Sequence, residues 1–406
     1  MIDQKEQSNQ IVQDKILSLI LGSNSPRDAL LLDIVKRIEG NLGTSWNNRV
    51  FSSQFQSSNN KVDDYERQPT FIHTKDGFEV SLDIEIIKAS VQSFHPMANF
   101  TVEENLSLDE IQTKMASFSN LYPTDIVYNS EFLLMCLASS TEIFKDNGSV
   151  DLKAFVESYG MSFVLCCLSS EAPSGYLKSA RSILAAVAFY LSEESDKSSS
   201  YREKLVIKLL VSKVLNFFSS SNQDFDKYLP SCVCTMMALT LPVMTNPGHY
   251  LNEKAVDFLL STPSLRATEL PMFSAITKTS SENAIREIQW LFENLTYSLS
   301  TQKDVALYMQ KGVFEYALSV KELSSSIKIE PLILKTQEAI GGSMSLVTRN
   351  GALSWTINEL SYSKEDSDRA YLFRKLGSRF VASSDSQKLN EWTDDAIAEF
   401  IMGLKA

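Results

Sequence analysis

Glycine and proline are scarce in this sequence, with 14 and 11 copies in 406 residues. An all-β or α/β chain of this length needs more turn glycine than that, whereas long helices need little. Cysteine is also sparse. The five copies, Cys136, Cys166, Cys167, Cys232 and Cys234, sit in apolar text such as LLMCLA and SFVLCCL. An odd number in core-like surroundings excludes a disulfide framework and reads as reduced, buried thiols of an intracellular protein. Long apolar runs are missing too. The longest, ILAAVAFYL (183–191), falls far short of a membrane span, and the mostly polar residues 1–10 do not open as a signal peptide. Positive charge is in deficit, the formal net charge being −12. Phosphate contacts dominate nucleic-acid affinity, so a dedicated nucleic-acid binder would carry the opposite sign. The balance directs the chain as a whole toward proteins.

What is present is helical periodicity. Hydrophobic residues make up 44% of the chain and charged residues 22%, ordinary values for a folded protein. Residues 10–21 keep Ile11, Val12, Ile16, Leu19 and Ile20 on one helical face. Ser25 then reads as an N-cap and Pro26 as the first residue of a helix that closes near Gly40. Residues 41–125 are the least regular part. Gln54–Gln68 is polar and reads as a loop, Phe71 and Ile72 form a pair too short to assign, and 96–125 reads as a linker with a short helix at 107–118. Phe78, Val80 and Leu82 alternate like a strand before Ile84, Ile86, Ile87, Val91 and Phe94 take helical spacing, so a helix is expected from about Asp83. From Asn129 helices are expected at 129–145, 150–169, 173–192, 200–219, 224–244, 251–261, 268–277, 281–299, 301–310, 312–320, 328–347, 349–360, 366–382 and 388–404. Asn147-Gly148, Asn246-Pro247-Gly248 and Thr262-Pro263 supply breaks between them. Paired helices joined by short links predict an all-α fold, a HEAT/armadillo-like α-solenoid in which neighbouring pairs bury each other's apolar faces. Residues 1–125 read as an N-terminal helical segment and 126–406 as the solenoid.

Catalytic chemistry finds little support. His73, His95 and His249 share no ligand spacing. Cys232-x-Cys234 lacks the two-residue spacing of a zinc knuckle, and Cys166-Cys167 reads as core filling. Gly341-Gly342 belongs to neither GxGxxG nor GxxxxGK[ST] and reads as close helix packing. The carboxylates are scattered. No catalytic, cofactor or metal site is therefore expected. Two basic stretches remain as candidate contacts for RNA or an acidic partner: Arg202, Lys204, Lys208 and Lys213, and Arg369, Arg374, Lys375 and Arg379. Solvated helix faces are the plainer reading of both. The last 46 residues hold seven basic and eight acidic residues, which dilutes any positive field.

Several segments, taken in order, resemble the C-terminal region of the nucleolar pre-ribosomal-associated protein 1 family. They are VYNSEFLLMCLAS (127–139), the block DLKAFVESYGMSFVLCCLSSEAPSGYLKSARSILAAVAFYL (151–191), NPGHYLNEKAVDFLLSTPSLRATELPMFSAI (246–276), REIQWLFENLTYSLSTQKDVALYMQKGVFEYALS (286–319) and GALSWTINEL (351–360). SWNNRVFSSQF (45–55) is similar to an upstream Ser-Trp element of the same family. These are packing and turn residues, so their specificity lies in order and number. The resemblance implies an α-solenoid scaffold of the nucleus and nucleolus, without a cofactor, acting in early assembly of the large (60S) ribosomal subunit and in pre-rRNA processing. It implies pre-60S assembly factors as partners, including a second large nucleolar scaffold and a DEAD-box RNA helicase, with pre-ribosomal RNA a weaker expectation. The alternatives are a HEAT/armadillo adaptor in another process, or a helical enzyme with an unrecognised site. The scaffold reading involves neither a membrane nor a small-molecule substrate.

Overall fold

The computed structural model of the chain describes residues 2–42, 46, 50–56, 70–74, 77–98, 107–121, 126–145, 147–193, 201–219, 229–278, 282–323, 327–340, 352–362 and 368–382. The expected helix at 388–404 and Gly341-Gly342 lie outside these residues. The chain divides into two compact units, Met1–Met272 and Phe273–Ala406.

The first unit opens with α1 (Ile2–Leu17) and α2 (Pro26–Leu42), packed against each other. Ser25 caps α2 as its sequence suggests: its Oγ accepts the Asp28 N–H at 3.2 Å. Asp28 is buried, and its carboxylate accepts the Ser23 N–H and hydroxyl, each at 2.7 Å, tying the turn to the helix it precedes. The helix runs through Gly40 rather than ending there.

A small sheet follows, an addition to a chain that is otherwise mostly helical, as its periodicity leads one to expect. Its strands are β1 (Val50–Gln56), β2 (Phe71–His73) and β3 (Phe78–Asp83), in the order β1-β3-β2. β1 runs parallel to β3 with an irregularity between Val50 and Ser52, and β2 runs antiparallel to β3. The central strand buries Phe78, Val80 and Leu82, the alternation its sequence displays. Asp83 then switches the chain to α3 (Ile84–Gln92), its carboxylate accepting the Glu85 N–H at 2.8 Å.

Phe71 and Phe78 join Trp46, Tyr128 and Phe132 in a buried aromatic cluster. Trp46 stacks on Phe132 with ring centroids 6.2 Å apart and meets Phe71 edge-on at 5.3 Å. Residues 126–138 thus complete the core of residues 20–83. The Asn24 N–H donates to the Val127 carbonyl, the Asn129 N–H to that of Gly22, and the Asp83 N–H to the Tyr128 hydroxyl. The expected boundary at 125/126 consequently falls inside the first unit.

Helices α4 (Leu108–Leu121), α5 (Ser130–Ala138), α6 (Leu152–Glu157) and α7 (Gly160–Cys166) lead to the long pair α8 (Ser174–Glu193) and α9 (Lys204–Ser219). The single helix expected at 150–169 is two, because Tyr159 takes a left-handed conformation with φ 60° between α6 and α7. α10 (Ser231–Met244) is buried almost all round, against α3, α6, α7 and α11 (Asn252–Leu260). Pro242 lies inside α10 and cannot donate to the carbonyl of Ala238. Ser162 of α7 takes its place, its hydroxyl donating to that carbonyl at 2.9 Å.

The second unit comprises α12 (Phe273–Thr277), α13 (Ala284–Ser298), α14 (Gln302–Gln310), α15 (Val313–Leu323), α16 (Glu330–Ile340), α17 (Ala352–Tyr362) and α18 (Asp368–Ala382). A capping box between Thr301 and Asp304 starts α14. The buried Tyr308 hydroxyl lies 2.7 Å from that of Ser298 and donates to the Leu295 carbonyl at 2.9 Å. α16 packs on α13, α14 and α18, and Trp355 of α17 meets Phe373 of α18 edge-on.

Candidate functional site: a basic helix pair with outward apolar residues

The helices α8 and α9 pack side by side and carry the first basic stretch. No Asp or Glu occurs from Ser174 to Ser192 or from Lys204 to Ser219, where Lys178, Arg181, Lys204, Lys208 and Lys213 lie. In a chain of net charge −12 this pair is a local reversal of sign.

The buried side of α9 is Ile207, Leu210, Val211, Lys213, Val214 and Phe217. The apolar face of α9 is wider than its buried side, so some of it points outward: Leu205 is 69% exposed and Leu209 44%. On α8, Phe189 is 65% exposed. Lys178, Arg181 and Lys208 are exposed as well, and the Arg181 guanidinium lies over the Phe218 ring at 4.6 Å, clamping the two helices. Arg202 is exposed just before α9 and Lys204 half-buried at its start. An acidic surface with apolar side chains of its own would find both halves of its complement here.

Lys213 drops out of that set, which corrects its reading as a surface contact. It is only 3% exposed, and its Nζ donates to the carbonyls of Phe258 at 2.8 Å and Leu259 at 3.1 Å while lying 4.7 Å from the Phe258 ring centroid. These carbonyls end α11, where the helix dipole favours a cation. Burial pushes the ammonium below the usual lysine range, with Glu269 opposing the shift. A sequence signal for this existed: Lys213 falls at helical spacing among Leu210, Val214 and Phe217, on the buried side. We expect Lys213→Met to lower stability by about 1–3 kcal/mol, the cost of orphaned buried carbonyls, in urea unfolding. An unchanged midpoint would show that water reaches them instead.

In the second basic stretch Arg374 is exposed and Lys375 half-buried on α18, beside an exposed Tyr371. The side chains of Arg369 and Arg379 lie outside those described.

The remaining chemistry-bearing residues are packing and turn elements. All five cysteines are buried free thiols. Cys232 and Cys234 point to different faces of a helix that is buried all round. The His95 Nδ1 accepts the Met97 N–H and the His249 Nδ1 that of Leu251, while His73 lies 3.5 Å from Asp14 at the surface. Among the described residues no group of His, Cys, Asp and Glu is placed to hold a metal ion, and no helix is long and apolar enough to cross a membrane.

By its geometry this is a mostly helical protein whose distinctive feature is a surface. Residues 161–355 match the family model described as nucleolar pre-ribosomal-associated protein 1. The protein of that name from Saccharomyces cerevisiae (strain S288c) is 23% identical over 415 aligned residues, which cover 87% of this chain. The resemblance in the sequence is thereby borne out: the chain is similar to the nucleolar pre-ribosomal-associated protein 1 family over residues 161–355. It spans 23% of the length of its yeast relative. No solved structure matches the chain.

Proposed function

We propose that the chain is a non-catalytic scaffold of ribosome assembly, at work in the nucleolus on early precursors of the large subunit and in pre-rRNA processing. The observation that carries this reading is the similarity to a nucleolar pre-ribosomal-associated protein, which extends over 87% of the chain. The helix pairs of both units fit segments of a HEAT/armadillo-like α-solenoid, an architecture built to offer surface to other macromolecules. The pair α8–α9, without Asp or Glu from Ser174 to Ser192 and from Lys204 to Ser219, is its docking face for an acidic segment of another assembly factor, and Leu205, Leu209 and Phe189 supply the apolar contact. Those outward apolar residues favour protein over RNA here, since a phosphate backbone would call on the cations alone. A second large nucleolar scaffold and a DEAD-box RNA helicase are the partners we place on this or neighbouring faces. Pre-ribosomal RNA is assigned to the second basic stretch, Arg369, Arg374, Lys375 and Arg379, where an exposed Tyr371 offers a stacking surface.

Depleting the protein from cells should lower large-subunit precursors while small-subunit precursors persist. Normal pre-rRNA processing after depletion would refute the assignment, and exclusive cytoplasmic staining of the tagged full-length protein would favour an adaptor role elsewhere. Charge reversal of Lys178 and Lys208 together, both exposed, should reduce recovery of assembly factors with the tagged protein several-fold without lowering its stability. Undiminished recovery would remove α8–α9 from the docking surface.

A further inference from the structure

A groove of about 570 Å³ opens in the first unit between the α6–α7 turn, the residues leading into α9, and the end of α10. Its lining combines Tyr159 and Tyr201 with the carboxylates of Glu157 and Glu203. Pro242, Thr245 and Asn246 also line it, so the carbonyl end of α10, where the helix dipole is negative, adjoins the same space. Among the described residues Lys153 is the one cation in the lining, and it is paired with Glu157 at 3.9 Å.

Tyr159 is held in a conformation that non-glycine residues rarely adopt, with φ 60°. The turn around it is fixed from both sides: its N–H donates to the Val156 carbonyl and its carbonyl accepts the Phe163 N–H. Gly160 packs so closely on Leu137 that a Cβ there would fall 2.8 Å from its Cδ2. Strained backbone in this left-handed region persists where surrounding structure over-determines it, and it concentrates at ligand clamps. The ring already attracts a cation, with the Lys88 Nζ 5.9 Å from its centroid. The Tyr201 phenol is pushed up to about 12, first by burial and then by the carboxylates of Glu203 and Glu157, a sign of negative potential in the groove.

We propose that this groove binds the cationic side chain of a basic polypeptide segment, an arginine or lysine set against the faces of Tyr159 and Tyr201 and paired with Glu157 and Glu203. Aromatic faces and carboxylates converging on one cavity are complementary to a cation and repel an anion. Arginine suits it best, because a planar guanidinium can stack on tyrosine and donate to a carboxylate at once. The groove thus takes a partner of opposite sign to that of the α8–α9 face. The inference names a partner class for the scaffold proposed above and rests on that reading.

The test is fluorescence anisotropy on the purified 406-residue chain with three labelled peptides: an alternating glycine–arginine peptide, its glycine–lysine counterpart and a glycine–glutamate control. The arginine peptide should bind more tightly than the lysine peptide, and the glutamate peptide should not bind. Tyr201→Ala and Glu203→Gln should each weaken the arginine peptide about tenfold, the order of a lost cation–π or partly desolvated charge contact. Tyr201→Phe keeps the ring and should retain most of the affinity, which separates loss of the site from loss of the fold. Glu253→Gln, an exposed carboxylate outside the groove, should leave it unchanged. Absence of binding, or binding that Tyr201→Ala and Glu203→Gln leave intact, would overturn the proposal. Either result would leave the assembly role standing, because that role is read from pre-rRNA in depleted cells.

Discussion

Replacing Gly22 by alanine should destabilise the first unit by roughly 2–5 kcal/mol, and two effects add. Gly22 has φ 69°, and a non-glycine residue in that left-handed region costs about 1–2 kcal/mol. A Cβ at this position would also lie 2.3 Å from Cε1 of Phe132. That ring is boxed in by Trp46, Phe71 and Tyr128, so it has nowhere to yield, and overpacking of this kind costs about 1–3 kcal/mol. Urea unfolding followed by tryptophan fluorescence measures the loss. Gly40→Ala is the matched control: nothing lies within 4 Å of its Cβ position in the last turn of α2, so it should leave stability unchanged or raise it by up to about 0.5 kcal/mol. A Gly22→Ala protein as stable as the parent would mean that the aromatic cluster repacks freely.

The second large effect is alkaline lability. Burial raises the thiols of Cys136, Cys166 and Cys167, that of Cys166 to about 12, with Cys166 and Cys234 adding to the shift at Cys167. An unfolded chain releases these protons near the ordinary thiol value of 9.0, while the folded chain keeps them. Above that pH the unfolded state therefore binds fewer protons, and stability falls as pH rises. Below it the contribution is fully present. Each thiol adds a slope approaching about 1.4 kcal/mol per pH unit, so the three together approach about 4. Urea midpoints at pH 8 and at pH 10 should differ accordingly, and the double replacement Cys166→Ala, Cys167→Ala should flatten the slope even though it lowers the starting stability. A flat profile for the parent would show the thiols ionising in place.

The helices were legible wherever one apolar face carries the burial. α8 and α9 lie within a few residues of their expected limits because their periodicity persists for four turns or more. Asp83 was legible as the point where period two gives way to helical spacing, and its side chain caps α3. β1 was not, since VFSSQFQ has no clean alternation and its partner is a parallel strand more than twenty residues onward. The break at Tyr159 was invisible because nothing in FVESYGMSF marks a tyrosine for a left-handed turn. The cationic character of α8–α9 was half legible. Counting lysines and arginines found the α9 stretch but passed over Lys178 and Arg181, and the outward Leu205 and Phe189 emerge only once the buried side is known. The Tyr159–Tyr201 groove joins residues from three elements, and no spacing in the sequence announces it.

The way residues 127–138 close the core of residues 20–83 has a consequence for synthesis. A chain leaving the ribosome exposes the turn at Gly22, Trp46 and the sheet long before Phe132 and the Cys136 carbonyl that the Ser53 hydroxyl requires. Until Phe132 and Cys136 have emerged, the aromatic cluster lacks its central ring and β1 lacks a buried acceptor. The segment from Gly22 to Asp83 is thus obliged to wait in an incomplete state, open to chaperones or premature partners, and to fold in one step when α5 arrives.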